Sequence, residues 1–262
     1  MAEAPAENDL PASVASWVER SGRALELRVA REFIRVGGSQ VDPSFSYMDL
    51  TSKVQREGDV LATHEFSINS TSGRLDGALR AVIECKSSAA KPWVAFDAVL
   101  PPNAASALRD WFVRSFAPWT GAADAISAAW SSHVLLGDTS PASHVVAANL
   151  GSAKSEEKND ANDAIRQALA AARAIGDADR ERSNRDGGFA SYVAALVVTA
   201  APLFRCSLSE ESGEVQLVGT DHFSVWGHVG GARHRVFVLN ETRVADVAFE
   251  LKRLATRVPE SM

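Results

Sequence analysis

Ala81-Val82-Ile83-Glu84-Cys85-Lys86-Ser87-Ser88 is the stretch on which the reading of this chain turns. An apolar run closed by polar residues reads as a buried strand reaching the rim of a sheet. Side chains alternate along a strand, so Glu84 and Lys86 project together while Ile83 and Cys85 point the other way. A carboxylate beside an ammonium at the end of an apolar strand suits phosphodiester hydrolysis. The carboxylate holds a divalent metal, and the lysine positions water or stabilises charge on the phosphorane. Glu-x-Lys also closes ordinary strands at solvated edges, so the pair has to be supported from elsewhere in the chain.

The first support is a hairpin. Asp59–Phe66 and Leu79–Ser87 are strand-like, and the cluster Asn69-Ser-Thr-Ser-Gly73 between them is turn material. A turn centred at Thr71-Ser72 opposes Asp59 to Glu84 in antiparallel register. Two facing carboxylates repel unless a cation lies between them. Asp76 is eight residues from Glu84, roughly 26 Å at ~3.3 Å per residue, and is assigned to turn chemistry. The second support is a helix over Ser16–Val36, ended by Gly37-Gly38. Leu25, Val29, Phe33 and Val36 begin its apolar arc, which Ala30, Ile34 and Leu27 continue, with Arg28, Arg31 and Arg35 opposite. Glu26 falls near the middle of that arc. A buried, unpaired carboxylate is expensive, so Glu26 needs a partner, either a metal site nearby or a base such as Arg23.

The remaining elements alternate in type. Val41–Asp49 reads as a connector leading into a strand, Trp93–Leu100 as a short strand, and Ala104–Phe116 as a helix. Gly137–Asn162 is loop-rich around a short strand at His144–Ala148. Asp160–Ile175 is an alanine-rich helix ended by Gly176, and Arg180–Gly188 is a polar loop. Strands follow at Val193–Ala200, at Val215–Trp226 (as one strand or a broken one) and at Arg235–Leu239, and Thr242–Arg257 closes the chain as an amphipathic helix. The expected fold is therefore α/β, a mixed central β-sheet flanked by helices. Residues 1–15 are expected to form a flexible tail and 16–262 a single domain, with an insertion at about 118–160.

Composition excludes several classes. With 46% hydrophobic and 23% charged residues the chain is an ordinary globular protein. Its longest apolar run, Tyr192–Pro202, is too short to span a bilayer. The acidic N-terminus lacks the basic start and apolar centre of a signal peptide. Two cysteines without a CxxC make no disulfide framework, which points to a reducing cytoplasm. No GxxxxGK[ST], GxGxxG or GxSxG motif is present, so nucleotide-driven and serine-hydrolase chemistry have no anchor. His222, His228 and His234 match no zinc-ligand spacing. The net charge of -6 is unhelpful for binding phosphates. Between Glu19 and Lys91, however, 11 Lys/Arg face 10 Asp/Glu, and a bound cation would make that surface positive.

The order of a helix carrying Glu26, Arg56-Glu57-Gly58-Asp59-Val60-Leu61-Ala62, a hairpin and Val82-Ile83-Glu84-Cys85-Lys86 resembles the PD-(D/E)xK nuclease core. It looks closest to Mrr-type and other restriction-endonuclease-like proteins of prokaryotes. The likeness covers roughly residues 20–97. It implies a Mg²⁺-dependent nuclease cleaving DNA, with Mn²⁺ as an alternative ion, in restriction or phage defence. Asp59, Glu84 and a backbone carbonyl near Cys85 would hold the metal, Lys86 would be the catalytic lysine and Glu26 an accessory acid. Gln167 would flank the site, as a glutamine does in some relatives. Dimerisation, or a partner subunit, is a further expectation, with no membrane association. Gly58 departs from the pattern, standing where an apolar residue is usual. The competing readings are a catalytically silent nuclease-fold protein that binds nucleic acid or protein, and an unrelated α/β protein with a solvated Glu-x-Lys edge.

Overall fold

The hairpin around residue 72 is the spine of the computed structural model, which describes residues 9–37, 39–70, 73–89, 91–97, 112–116, 141–149, 160–186, 189–209 and 211–257. Strands β1 (Ser39–Met48), β2 (Gln55–Ser70) and β3 (Gly73–Lys86) form an antiparallel meander. The β2–β3 register runs from Ser70↔Gly73 to Val60↔Ile83. The pairing ends one residue short of Asp59 and Glu84, whose opposition the turn position predicts; the two carboxylates lie near enough to act on each other by charge. The expected connector at Val41–Asp49 is instead most of β1. Pro43 is compatible with that because β1 is the outermost strand of the sheet. Across the pair, Phe45 lies opposite Gly58, and a Cβ on residue 58 would stand 2.4 Å from the Phe45 ring. The glycine that departs from the family pattern is thus the floor on which an aromatic ring rests.

Helix α3 (Asp160–Asp186) leads into β7 (Phe189–Thr199), which runs parallel to β3 from Asp76↔Phe189 to Lys86↔Thr199. β5 (Arg114–Phe116) pairs with the first half of β7 and β11 (Ala232–Asn240) with the second. Beyond these lie β4 (Trp93–Asp97), β6 (Ala142–Ala147), β8 (Leu203–Leu208), β9 (Val215–Thr220) and β10 (His222–Val229). The order is β1-β2-β3-β7-β11-β10-β6-β4-β8-β9. The sheet is mixed and helices flank it, so the α/β expectation holds.

Alternation divides the core. Val60, Leu79, Ala81 and Ile83 face α2 (Arg23–Val36) and α4 (Val244–Arg257), where Leu25, Val29, Phe33, Val247 and Leu251 meet them. Leu61 and Val82 face the other way, onto the α3 side with Ile165, Ala168 and Leu169. β7 is covered on both faces, and accordingly its sequence is a nearly unbroken apolar run.

Several helix boundaries differ from the sequence reading. The segment expected as one helix from Ser16 is two: α1 (Leu10–Ser21) and α2, separated by Gly22 at φ +87°. Residues 10–15, expected in the tail, are therefore helical. Leu27 and Ile34, expected to continue the buried arc of α2, are about 60% exposed (60% and 61%). The second half of α3 overrides two expectations, a stop at Gly176 and a loop over Arg180–Gly188. A mid-helix glycine costs only about 1 kcal/mol, and here tertiary contacts outweigh it. Asp179, on that half, accepts from Arg80 Nε at 2.7 Å and from Ser191 Oγ at 2.7 Å, tying the helix to β3 and β7. Ser183 Oγ adds a bond to the Phe189 carbonyl at 2.8 Å. Phe116 belongs to β5 rather than to a helix, and most of the helix expected at Ala104–Phe116 lies outside the described residues. β8 had no counterpart in the sequence reading. No described helix is long and apolar enough to cross a membrane.

Candidate active site

The C-terminal end of β3 carries Glu84 and Lys86 on the α3 side of the sheet, and β2 brings Asp59 beside them. The Cys85 amide donates to Asp59 Oδ2 at 2.6 Å, while Cys85's own side chain is buried on the opposite face, in the α2–α4 core. Burial pushes that thiol up, well above its ordinary value, so Cys85 is no nucleophile. Lys86 Nζ donates to Glu84 Oε1 at 2.6 Å and to Gln167 Oε1, on α3, at 3.2 Å. Asp59 Oδ1 and Glu84 Oε2 remain uncommitted among the described residues.

Glu26 arrives from α2, whose first turn begins at Gly22. Its partner is Arg23 Nη1, at 2.7 Å, so the base weighed from the sequence is the one the fold supplies. Arg23 also reaches Glu57 at 3.1 Å. Glu26 nevertheless lines the same cavity as Asp59, Cys85, Lys86 and Asp160, a space of about 350 Å³ edged by Ser87, Ser88 and Lys91. Trp93 sits in the cavity wall and is otherwise core, at 2% exposure. Four of the five expected site residues, Glu26, Asp59, Cys85 and Lys86, therefore line one cavity, and the fifth, Glu84, is bonded to Lys86.

The electrostatics are those of crowded carboxylates. Burial, then the neighbouring Asp59, pushes Glu84 up to about 7 despite the Lys86 ammonium. Burial also raises Asp59, against the opposing pull of the Cys85 amide and Lys86. Glu26 rises through burial, partly offset by its bond to Arg23. For Lys86, burial disfavours the ammonium, but the charge and hydrogen bond of Glu84 outweigh it and the net direction is upward. The lysine is a firm cation and the carboxylates are under-compensated.

Among the described residues, no group of three or more His, Cys, Asp and Glu side chains is close enough to hold a metal ion. The local donors are instead a facing pair of hard carboxylates, each with one free oxygen. Such a pair fits Mg²⁺, which binds through one or two carboxylates and keeps several waters. The three histidines do not form an alternative centre. His222 shares a hydrogen bond with Asp221 at 2.6 Å, and His228 and His234 lie on the β10–β11 hairpin.

Two residues near the site were not singled out from sequence. Tyr47, buried on β1, has its hydroxyl raised by burial and by Glu84. Reading β1 as a connector hid it, because the alternation that places Tyr47 appears only once the strand is known. Asp160, at the start of α3, acts on Lys86 through its charge. In the sequence it reads only as a helix start. Asp76, set aside as turn chemistry, accepts from Ser67 and Arg74 far down the hairpin. In comparisons with family models, curated proteins and solved structures, nothing matches the chain.

Proposed function

We infer that the chain is a metal-dependent nuclease of the PD-(D/E)xK, restriction-endonuclease-like class, hydrolysing phosphodiester bonds of DNA. The observation that carries this reading is the meeting of Asp59, Glu84 and Lys86 at one strand end, beside Glu26 and Gln167. These residues come from four separated segments, and a solvated Glu-x-Lys edge would not collect them or bury Glu84 to 9% exposure.

Asp59 and Glu84, with the Cys85 carbonyl, would hold Mg²⁺, which supplies Lewis-acid stabilisation of phosphoryl charge when bound. Lys86 presents ammonium protons toward the cavity, where they orient a water or meet charge developing on phosphate oxygen. Glu84 and Gln167 fix the direction of that ammonium. Glu26, raised and cavity-lining, is placed to accept a proton from the attacking water.

Plasmid cleavage with Mg²⁺, Mn²⁺ or EDTA, beside Glu84→Ala and Lys86→Ala, tests the proposal. Cleavage should need metal and vanish in both variants. A folded Lys86→Ala protein cutting as fast as wild type would remove the lysine from the mechanism. The second reading, a silent binding module, is favoured by the commitment of one oxygen on each carboxylate to the protein itself and by the charge of -6. Tight DNA binding with no cutting in any divalent metal would establish it.

A further inference from the structure

One guanidinium ties together three neighbours at the rim of the candidate site. Arg23 Nη1 donates to Glu26 Oε2 at 2.7 Å, to Ser44 Oγ at 3.0 Å and to Glu57 Oε1 at 3.1 Å. Its Nη2 donates to the same Glu57 oxygen, also at 3.1 Å. The Ser44 hydroxyl in turn bonds Glu57, and with Arg23 it holds that carboxyl below its ordinary value. The first turn of α2, the middle of β1 and the start of β2 are thereby joined through their side chains.

Stability does not explain the cluster. Arg23, Ser44 and Glu57 are exposed, and ion pairs in such positions contribute little. Ser44 is unfavourable in itself: it stands at φ +57°, in the left-handed region that a residue with a Cβ adopts only at a cost. It does so inside a strand, between the pairs Pro43↔Val60 and Phe45↔Gly58, which places it abreast of Asp59. Strain of this kind persists where the surroundings impose it, and it gathers beside functional groups. Ser44 and Glu57 between them fix the plane of one guanidinium, whose fork is rigid. That plane meets Glu26, the half-buried member of the four, which lines the cavity. Glu26 Oε1 makes no hydrogen bond among the described residues.

We propose that Arg23 is a positioning residue of the site, a role that rests on the nuclease reading. Held by Ser44 and Glu57, it binds one oxygen of Glu26 and leaves the other facing the cavity, where it meets the attacking water. As the water oxygen bonds to phosphorus, its proton passes to Glu26 Oε1. The bond to the leaving sugar oxygen breaks with its electron pair on that oxygen, which takes a proton from solvent. Arg23 itself touches no substrate atom.

Single-turnover cleavage of plasmid DNA by excess protein in Mg²⁺ separates the rate at saturation from the protein concentration that gives half of it. Arg23→Met should lower the saturating rate at least about tenfold and leave the half-saturating concentration unchanged. Placed in Glu26→Gln, the same substitution should slow cleavage no further, because its effect passes through that carboxylate. Ser44→Gly relieves the left-handed strain but removes the hydroxyl. It should also be slower, with no fall in urea midpoint, and its loss should likewise vanish in Glu26→Gln; this arm decides the matter if Arg23→Met does not fold. Equal losses with and without Glu26 overturn the proposal, since the cluster would then be structural. A raised half-saturating concentration with a shallower salt dependence overturns it too, making Arg23 a phosphate contact. Cleavage that is lost in Glu84→Ala but untouched by Arg23→Met and Ser44→Gly overturns this proposal alone. A folded wild-type chain that cuts in no divalent metal overturns the nuclease reading as well.

Discussion

Glu84→Gln should stabilise the metal-free protein at alkaline pH, an unusual result for a buried polar residue. In EDTA, the wild-type carboxyl titrates near 4.5 when the chain is unfolded and at about 7 when folded. Below 4.5 both states are protonated and the site costs nothing. Between 4.5 and 7 the unfolded chain releases its proton while the folded chain keeps it, so stability falls as pH rises. Above 7 both are ionised and the full penalty stays. A shift of this size, at 1.36 kcal/mol per unit, corresponds to about 3 kcal/mol. Glutamine keeps the shape without the charge, but leaves Lys86 with less compensation, so a gain of about 2 kcal/mol is expected at pH 8. Near pH 4.5 the two proteins should be equally stable. Urea unfolding in EDTA at both pH values measures the difference. Mg²⁺ should reverse the order at pH 8, since an ion bound only by the folded wild type stabilises it. A variant less stable than wild type at pH 8 in EDTA, or a difference independent of pH, would refute the reasoning.

Gly58→Val should cost about 1–3 kcal/mol in urea unfolding, because the new side chain must displace the Phe45 ring. A Phe45→Ala background should recover most of that loss. Asp179→Ala leaves the half-buried Arg80 guanidinium with only Thr63 as a partner and should destabilise by about 2–4 kcal/mol, whereas Arg80→Met with Asp179→Leu should cost much less. Gln167→Ala removes one hydrogen bond from Lys86 Nζ at an exposed helix position. It should slow metal-dependent cleavage about tenfold with no change in unfolding midpoint; an unchanged rate would make the contact incidental.

Much of the candidate site was legible because it is local. A two-residue period puts Glu84 and Lys86 on one face, and the turn at Thr71-Ser72 leaves a single in-register partner for Glu84, which is Asp59. Those inferences need only strand geometry and the position of a turn. The amphipathic pattern of Val244–Arg257 and the apolar run of β7 were readable for the same reason, since burial on one or both faces is written in residue order. What the sequence could not fix depends on contacts between distant residues. Gly176 reads as a helix stop, yet α3 continues because Asp179 is held by Arg80, 99 residues away. Glu26 needed a partner on any reading, but only the packed helix assigned Arg23, and only the folded sheet brought Asp160 to Lys86, whereas Gln167 is expected there from the family resemblance and not from any local pattern. Leu27 and Ile34 lie within the apolar periodicity of α2 but outside its buried face, because the width of a buried face is set by the neighbours that cover it. Local periodicity determined which side chains share a face; tertiary structure decided what each face meets, since burial and charge compensation belong to pairs of surfaces and not to one.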